Sequence, residues 1–431
     1  MNALVLHPAV GPLRGTPPLP GDKSVSHRAL FLAAWAEGPW TVKGLSPAED
    51  VSRTAQALSA LGLSLDRDGH VTRVTGGLES LRPRQILDCG NSGTTARLLL
   101  GFLAGWSTRQ TLTGDASLMT RPMGRVIGPL GAWGLQVEEA RERLPLAVTA
   151  RPLPATLELE MPVASAQVKT ALALAVMKAG GHLSLTEPHP SRDHTERLLE
   201  SLDAPLRRTA RGFRLRGPWR PPAHEMDIPG DCSAAAFWGV AATLVPGSWI
   251  TMEGVGLNPG RTGWMTVLER MGGKLGVREV RGHDPVGTLE IRASQSLKPV
   301  TVEGAEVVRC LDEIPILSLA MARAEGISVI KGATELRIKE SDRLSAIVDL
   351  LANLGIHARL SGDDLEIHGR GATEPLRPVE GALPTRKDHR MAMTAGIASL
   401  LCSAPVTLAD ASCAAVSDPR FWDTRRAIMQ S

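Results

Sequence analysis

Short polar turns and apolar runs alternate along the whole chain, and the alternation follows one plan that recurs six times. Each repeat opens with a polar turn and an apolar run of helical length. A glycine, a strand, a more polar second helix and two strands then follow. The openings lie near Gly21, Gly90, Ala164, Gly230, Asp312 and Asp388. Self-similarity of this kind indicates duplicated supersecondary units, so we predict an α/β protein built from repeats.

Turn signals mark where the second helix of most repeats ends. Leu-Gly-like turns stand at 60–62, 132–134, 270–272 and 353–355, and Ser201-Leu202-Asp203 takes this place in the third repeat. A glycine directly after an amphipathic run is typical of a helix C-terminus. Alternating apolar and polar residues follow, which predicts hairpins such as those over 63–74 and 356–367.

The sixth repeat lacks a hairpin of its own. After Trp422 the chain reaches Ser431 with one helix, whereas residues 1–10 predict a strand that belongs to no repeat. We therefore expect the N-terminal strand to complete the last repeat. A single core is not expected at 431 residues. We predict one domain formed by residues 1–20 and 229–431, and an inserted domain formed by residues 21–228.

Composition narrows the class of protein. The net charge of +3 is mild and aromatic residues make up only 3% of the chain, which argues against a nucleic-acid-binding surface. The five cysteines are scattered and form no Cys-x-x-Cys pair, which favours a reducing compartment and no zinc site. We see no signal peptide, and no apolar run nears the roughly 18 residues needed to span a bilayer. These features predict a cytoplasmic protein.

The helix openings carry the candidate chemistry. In the first one, Asp22, Ser24 or Ser26 can cap a helix whose first turns hold Lys23 and Arg28. A helix N-terminus favours an anion, so cations placed there indicate a phosphate or carboxylate site. An ordinary capped helix with solvated cations explains this stretch equally well when it is considered alone. In the second repeat, Pro122 suits the first helical position, which would place Arg121 at a loop–helix junction.

Acidic residues stand among these cations in the fifth repeat. Asp312 lies at a helix opening and Glu340 lies in a charged segment. That segment predicts a helix on which Lys339 and Arg343, four residues apart, share one face. Two cations on one face are unfavourable unless an anion sits between them. We therefore predict anionic small-molecule substrates, with Asp312 and Glu340 as candidate general base and acid.

Five motifs in this order resemble the enolpyruvyl transferases, and among them the branch that acts on shikimate 3-phosphate. The motifs cover residues 21–28, 90–94, 114–125, 339–343 and 388–392. The resemblance implies a two-domain inside-out α/β barrel of six βαβαββ units, three per domain with pseudo-threefold symmetry, and an active site in the cleft between the domains. It also implies a transferase of aromatic amino-acid biosynthesis that requires no cofactor or metal.

The implied reaction joins the 5-hydroxyl of shikimate 3-phosphate to C2 of phosphoenolpyruvate, passes through a tetrahedral intermediate and releases phosphate. By resemblance, Asp312, Glu340 and Lys23 are catalytic. The residues implied to bind shikimate 3-phosphate are Lys23, Ser24, Arg28, Ser165, Ala166, Gln167, Arg192, Asp312 and Lys339. Those implied to bind phosphoenolpyruvate are Lys23, Gly93, Arg121, Gln167, Arg343 and Arg390. The expected partners are these two small molecules, without nucleic acid or membrane, and the expected state is a monomer.

The chain departs from the family pattern at one place, and three alternatives stay open. Many relatives carry a lysine near residues 414–419, where this chain has none, so one phosphoenolpyruvate contact is expected to be missing or replaced. One alternative is the sister enzyme that acts on UDP-N-acetylglucosamine, although the loop 115–120 lacks its cysteine and Ser24 replaces its asparagine. Another is an RNA-end-processing protein of similar repeat fold, such as an RNA 3′-phosphate cyclase. A scaffold without activity is a further possibility that only an assay excludes.

Overall fold

The computed structural model describes residues 4–372, 374–379 and 381–430. The chain divides into two compact units, which are described separately. We call Met1–Pro20 with Gly230–Ser431 the termini unit, and Gly21–Pro229 the inserted unit. Each unit buries its own hydrophobic core.

Helices and strands alternate along the chain as the repeats predict. The α-helices are α1 (Lys23–Trp35), α2 (Glu49–Leu61), α3 (Gly93–Ala104), α4 (Ala116–Thr120), α5 (Gly124–Leu130), α6 (Ala166–Ala179), α7 (His194–Ser201), α8 (Cys232–Leu244), α9 (Gly263–Arg270), α10 (Ala305–Cys310), α11 (Ile314–Ala322), α12 (Arg343–Asn353), α13 (His389–Ala398) and α14 (Phe421–Ile428). Short 3₁₀ helices cover Gly131–Trp133, Glu138–Ala140, Thr334–Ile338, Ser399–Leu401 and Ser412–Val416.

The strands are short, and most lie in hairpins or beside a crossover helix. They are β1 (Leu4–Leu6), β2 (Arg14–Gly15), β3 (Trp40–Lys43), β4 (Leu65–Asp68), β5 (Val71–Val74), β6 (Ile86–Asp88), β7 (Arg109–Thr113), β8 (Leu135–Val137), β9 (Leu146–Ala150), β10 (Ala155–Glu160), β11 (Gly181–Thr186), β12 (Leu206–Thr209), β13 (Gly212–Gly217), β14 (His224–Asp227), β15 (Trp249–Gly256), β16 (Lys274–Arg281), β17 (Val286–Arg292), β18 (Thr301–Val302), β19 (Glu325–Ile330), β20 (Ala358–Ser361), β21 (Asp364–Arg370), β22 (Ala382–Leu383) and β23 (Val406–Leu408).

Within the described residues, the strands form six sheets on one plan. Five sheets have four strands, in the orders β14-β3-β5-β4, β6-β7-β9-β8, β10-β11-β13-β12, β2-β15-β17-β16 and β18-β19-β21-β20. In each of these, the first pair is parallel and the other two pairs are antiparallel. The mixed α/β repeat architecture predicted from the sequence is confirmed.

The sixth sheet has three strands, in the order β22-β23-β1. Its first pair is again parallel, and β1 pairs antiparallel with β23, with Leu4 opposite Leu408 and Leu6 opposite Val406. The prediction that the N-terminal strand completes the last repeat is therefore confirmed for residues 4–6. Residues 1–3 lie outside the described part of the chain.

The predicted helix openings and stops are also found. Helices α1, α3, α6, α8, α11 and α13 begin within a few residues of the six openings. Five of these helices have a side-chain N-cap, and the capping residues are Asp22, Ser92, Ser165, Asp231 and Asp388. At the stop signals, Gly62 follows α2 with φ of 118°, and Asp203 takes the left-handed conformation after α7 with φ of 56°.

Close packing of α3 against α6 positions two of the openings in the inserted unit. A Cβ added at Gly101 of α3 would lie 2.2 Å from the carbonyl oxygen of Ala171 in α6. The backbones can approach this closely because Gly101 has no side chain. The N-terminal turns of the two helices, which carry Gly93 and Gln167, are thereby held side by side.

We expect Gly101→Ala to lower the free energy of unfolding by roughly 1–3 kcal/mol, because the new methyl group overpacks a backbone contact. Gly131→Ala is the matched control. Gly131 has right-handed helical φ and ψ, and a Cβ there would meet nothing within 4 Å. The control should leave stability unchanged or raise it by up to about 1 kcal/mol. Urea denaturation of both variants measures the difference, and equal stabilities would contradict the packing argument.

Candidate active site

The residues predicted from the sequence fall into two sets, one in each unit. The inserted unit holds Lys23, Ser24, Arg28, Gly93, Arg121, Ser165, Ala166, Gln167 and Arg192. The termini unit holds Asp312, Lys339, Glu340, Arg343 and Arg390. Within each unit, contacts connect most of the predicted residues that are distant in sequence.

Arg28 joins three segments of the inserted unit. Its Nη1 donates to the carbonyl oxygen of Ser24 at 2.8 Å, and its Nη2 donates to that of Ala166 at 3.3 Å. Nη2 and Nε also donate to the hydroxyls of Thr170 and Thr195, at 2.9 and 2.8 Å. The side chain is only 4% exposed. A buried guanidinium thus fixes the starts of α1 and α6 relative to each other.

Lys23, the first residue of α1, is paired with a carboxylate that the sequence did not single out. Its Nζ lies 2.9 Å from Oδ2 of Asp50, in the first turn of α2. Asp22 caps α1 by accepting the N–H of Val25 at 2.9 Å. The helix cap therefore already satisfies one backbone N–H group at the start of α1. The side chain of Lys23 is the remaining group that can attract an anionic ligand.

Two guanidinium groups flank Gly93 at the start of α3. A Cβ at Gly93 would lie 3.0 Å from Nη1 of Arg97 and 3.4 Å from Nη1 of Arg121. Arg97 also donates from Nη1 to Oε1 of Gln167 at 2.6 Å. Gly93, Arg121 and Gln167, all predicted to bind phosphoenolpyruvate, are thus linked: Gly93 lies beside both guanidinium groups, and Arg97 joins it to Gln167.

The prediction that a helix begins at Pro122, with Arg121 at the loop–helix junction, is wrong. Arg121 is the C-cap of α4 with extended φ and ψ of −77° and 136°, and α5 begins only at Gly124. The cause is Pro122, which disfavours helical backbone in the residue that precedes it. The side chain is nevertheless fixed, because Nη2 donates to Oδ1 of Asn91 at 2.8 Å.

The other predicted residues of the inserted unit lie at the start of α6 and in the loop before α7. Ser165 is the N-cap of α6 and accepts the N–H of Val168 at 3.4 Å. Ala166 and Gln167 form the first turn of this helix. Arg192 lies between β11 and α7. A single buried carboxylate contacts the backbone of both stretches, as described below.

Arg343 is the centre of the set in the termini unit. This side chain, 1% exposed, contacts three carboxylates. The distances are 2.6 Å from Nη2 to Oε2 of Glu340, 2.8 Å from Nε to Oδ2 of Asp388 and 3.3 Å from Nη1 to Oδ1 of Asp312. Burial disfavours the charged guanidinium, but Asp388, Glu340 and Asp312 together raise the pKa of Arg343, so it stays charged.

Lys339 and Arg343 do not share a helix face, contrary to the prediction. A 3₁₀ helix ends at Ile338, Lys339 is extended, and α12 starts at Arg343 after the N-cap Asp342. The chain breaks here because the Asp342 side chain accepts the N–H of Ser345 and begins a new helix. The two cations still converge, since Lys339 Nζ lies 3.5 Å from the Asp312 oxygen that Arg343 contacts. The carboxylate of Asp312 thus lies between the two cations, where the sequence predicted an anionic substrate.

Arg390, in the first turn of α13, borders the same group. Its Nη2 lies 4.0 Å from Oδ2 of Asp312, and its Nη1 lies 3.6 Å from Oε1 of Glu313. Glu313 is fully buried and accepts a hydrogen bond from Ser233. Asp312 therefore contacts all three cations of the termini unit that the sequence predicted.

Two titratable side chains support these sets without having been predicted as ligands. Burial alone would raise the pKa of Asp388, but the Arg343 guanidinium outweighs this effect and lowers it. Burial lowers the pKa of His27 well below its usual value, and nearby Lys23 and Arg28 lower it further. His27 is therefore neutral at physiological pH, and its Nδ1 is 2.8 Å from the hydroxyl of Thr54 in α2.

Sequence reasoning missed the residues that hold the predicted ones. These supporting residues are Asp50, Asn91, Arg97, Thr170, Thr195, Glu313 and Asp388. Asp388 stands inside a motif that was identified, whereas Asp50 lies in an ordinary amphipathic helix with no local signal. Their pairings join different helices and loops, often in different repeats, and local patterns do not encode such contacts.

In the described part of the chain, no group of three or more His, Cys, Asp or Glu side chains could hold a metal ion. No helix in these residues is both long and apolar enough to cross a bilayer.

The fold is that of the enolpyruvyl transferases. An EPSP synthase structure from Acinetobacter baumannii superposes with a TM-score of 0.88 at 35% identity, covering 99% of this chain and 98% of that one. The enolpyruvyl transferase NikO from Streptomyces tendae superposes with a TM-score of 0.77 at 18% identity, covering 99% and 96%. The second likeness concerns the fold alone.

Sequence comparison identifies the family within this class. The model of the family EPSP synthase (3-phosphoshikimate 1-carboxyvinyltransferase) matches residues 8–424. A 3-phosphoshikimate 1-carboxyvinyltransferase from Synechococcus sp. (strain WH7803) is 46% identical, with 96% of each chain covered. One from Lactiplantibacillus plantarum is 43% identical, with 98% of each covered. The chain belongs to the EPSP synthase family, which confirms the resemblance found in its motifs.

We expect Asp388→Asn to lower the free energy of unfolding by about 3 kcal/mol at pH 7, because Arg343 stays buried with one carboxylate fewer. Since folding lowers the pKa of Asp388, its contribution is full above the titration range of unfolded aspartate and is lost as the pH falls through the folded pKa. The stability difference from the unsubstituted protein should therefore shrink below about pH 4.

Urea denaturation between pH 7 and pH 3 measures this difference. The control is Asp423→Asn, because the Asp423 side chain is 75% exposed and pairs with Arg426 at the surface. Its effect should stay below about 1 kcal/mol at every pH. A pH-independent loss in Asp388→Asn would contradict the ion-pair explanation.

Proposed function

We propose that this protein transfers the enolpyruvyl group of phosphoenolpyruvate to the 5-hydroxyl of shikimate 3-phosphate and releases phosphate. The observation that carries the proposal is the cluster around Arg343, where two candidate acid–base carboxylates, Asp312 and Glu340, lie among three cations. Membership of the EPSP synthase family identifies the substrates that suit such a cluster. Both substrates carry a phosphate and a carboxylate, which guanidinium groups bind through paired hydrogen bonds.

The reaction has an addition step and an elimination step. In the addition, the 5-hydroxyl oxygen bonds to C2 of phosphoenolpyruvate, its proton leaves, and C3 gains a proton to become a methyl group. In the elimination, C3 loses a proton, the bond from C2 to the phosphate oxygen breaks, and inorganic phosphate departs. No oxidation state changes overall and the leaving group is already on the substrate, so the chemistry requires no redox cofactor.

Asp312 and Glu340 supply the proton transfers in this proposal. Asp312 accepts the proton of the 5-hydroxyl, with Lys339 beside it to bind the same substrate. Glu340 delivers the proton to C3 and later retrieves it. In the structure Glu340 accepts a hydrogen bond from Arg343. A substrate anion that takes over this guanidinium frees Glu340 for its role as acid.

The remaining residues bind and orient the two anions. For shikimate 3-phosphate we assign Lys23, Ser24, Arg28, Ser165, Ala166, Gln167 and Arg192 of the inserted unit. For phosphoenolpyruvate we assign Lys23, Gly93, Arg121 and Gln167 of the inserted unit, together with Arg343 and Arg390 of the termini unit. The support is their grouping within each unit and their match to the family motifs. The reaction requires both sets to act on the same pair of substrates.

We also propose that the enzyme works in the cytoplasm as a monomer. The support for a reducing compartment is that all five cysteines are free and buried. Sedimentation at micromolar concentration tests the oligomeric state, and a mass near twice 45.8 kDa would contradict the monomer.

The assay that tests the function measures phosphate release from phosphoenolpyruvate with shikimate 3-phosphate or UDP-N-acetylglucosamine as acceptor. We expect release with shikimate 3-phosphate only, because the chain belongs to the EPSP synthase family and its loop 115–120 lacks the cysteine expected of the sugar-nucleotide enzyme. Release with the sugar nucleotide only would support enolpyruvyl transfer but contradict shikimate 3-phosphate as the acceptor. No phosphate release with either acceptor would contradict the proposal and favour the RNA-end-processing or inactive-scaffold alternatives.

A further inference from the structure

One buried carboxylate touches both stretches of the inserted unit that are proposed to bind shikimate 3-phosphate. Glu187, which directly follows β11, is 1% exposed. Its Oε1 accepts the N–H of Ser165 at 3.0 Å, and its Oε2 accepts the N–H of Ser191 at 3.1 Å. Ser165 begins the α6 stretch, and Ser191 directly precedes Arg192. The two stretches are 26 residues apart along the chain yet are joined through this one side chain.

A buried lysine holds this carboxylate in place. Nζ of Lys169, on α6, lies 3.1 Å from Oε2 of Glu187 and 2.7 Å from Oε1 of Glu196, on α7. The same Nζ is 3.5 Å from the carbonyl oxygen of Ser191. The three charged side chains are at most 5% exposed. Buried ion pairs with this many contacts fix geometry rather than add much stability.

Only a carboxylate suits the position of Glu187. Both of its oxygens are acceptors, so it can receive two backbone N–H groups and an ammonium group at once. A glutamine of the same shape would place an N–H donor either opposite the N–H of Ser165, or opposite the N–H of Ser191 and the ammonium group of Lys169. One of the two stretches would then lose its acceptor while a buried donor is left unpaired.

A second set of contacts joins α6 and α7 next to the ion pairs. The hydroxyls of Thr170 and Thr195 are 2.6 Å apart, and Arg28 donates to both. Thr170 follows Lys169 and Thr195 precedes Glu196, so the neutral and the charged contacts lie next to each other. The two helices are therefore fixed independently of Glu187, whereas the backbone of Ser165 and Ser191 is fixed by it.

We propose that Glu187 is a positioning residue of the shikimate 3-phosphate pocket, held by Lys169, and that it sets the distance between the start of α6 and the Arg192 loop. This inference rests on the proposed function, because it assigns these stretches to that substrate. Both oxygens of Glu187 are engaged by the N–H groups of Ser165 and Ser191 and by Lys169, so Glu187 acts through the backbone that it holds.

The test is Glu187→Gln, compared with the unsubstituted enzyme in steady-state assays and in calorimetric binding of shikimate 3-phosphate. We expect the KM and Kd for shikimate 3-phosphate to rise by about 10-fold or more. The KM for phosphoenolpyruvate, measured at saturating acceptor, should rise clearly less, by no more than about 3-fold, because Gln167 is the one proposed phosphoenolpyruvate ligand in the stretches that Glu187 holds. A general loss of structure would not separate the two substrates in this way.

Glu196→Gln is the matched control. It also removes a carboxylate partner of Lys169, but the contact that the structure shows for Glu196 is to Lys169 and not to the backbone of Ser165 or Ser191. We expect both variants to lower the thermal midpoint, with the affinity for shikimate 3-phosphate within about 2-fold of normal in the control. Equal weakening in the two variants would overturn the proposal.

Glu187→Asp covers the case in which the glutamine variant does not fold. Aspartate keeps the charge opposite Lys169 but is one methylene shorter, so it cannot hold both N–H groups at hydrogen-bond distance. Weaker shikimate 3-phosphate binding in a folded aspartate variant supports the proposal, and unchanged affinity in the folded variants overturns it. An unsubstituted enzyme that fails to use shikimate 3-phosphate would instead contradict the proposed function.

Discussion

A charged guanidinium that is buried among carboxylates is the interaction on which the candidate chemistry depends. Arg343 contacts Asp312, Glu340 and Asp388, which come from three different segments of the termini unit. Without this cation, three carboxylates would stand close together at the opening of α11, α12 and α13, and their repulsion would separate these helix starts. With it, a candidate base and a candidate acid are held in one place.

The inserted unit also contains buried cations that are surrounded by hydrogen-bond acceptors. Arg28 is buried among two carbonyl oxygens and two hydroxyls, and Lys169 is buried between two carboxylates. Buried cations are costly unless every donor finds an acceptor, so each one fixes the segments around it. In both units, buried charges thus fix the segments that carry the proposed substrate-binding groups.

Helix caps explain why side-chain cations, rather than the free backbone N–H groups of the helix starts, are the main anion-binding groups at the openings. Asp22, Asp231 and Asp388 each satisfy backbone N–H groups at the start of their own helix. The two interpretations offered by the sequence, a capped helix and an anion site, therefore describe the same openings. The side-chain cations beside the caps, such as Lys23 and Arg390, remain as the groups that recognise an anion.

The repeats, the helix starts and stops and the added N-terminal strand could be predicted because their signals are local. Capping residues, a glycine or Asp203 at a helix end, and alternating hairpins lie within a few residues of what they specify. The partners Asp50, Glu187 and Asp388 could not be predicted in the same way, because they contact residues on other elements that are distant along the chain. Lys23, Ser165 and Arg343 lie 27, 22 and 45 residues away from them. The error at Lys339 came from extending one helix across a segment in which Ser341-Asp342 already carried the signal for a new helix start.

Proton transfer by Glu340 is the central claim, and solvent deuterium tests it most directly. In D₂O, C3 gains one deuterium in the addition step and becomes a methyl group with two hydrogens and one deuterium. The elimination step removes one of these three atoms, so much of the enolpyruvyl product should carry deuterium in its vinyl group. We predict that Glu340→Gln lowers the rate of product formation by about 100-fold or more. The control Glu303→Gln, at a surface ion pair with Lys331, should keep the normal rate. A Glu340→Gln enzyme with a near-normal rate and normal deuterium content would contradict the account.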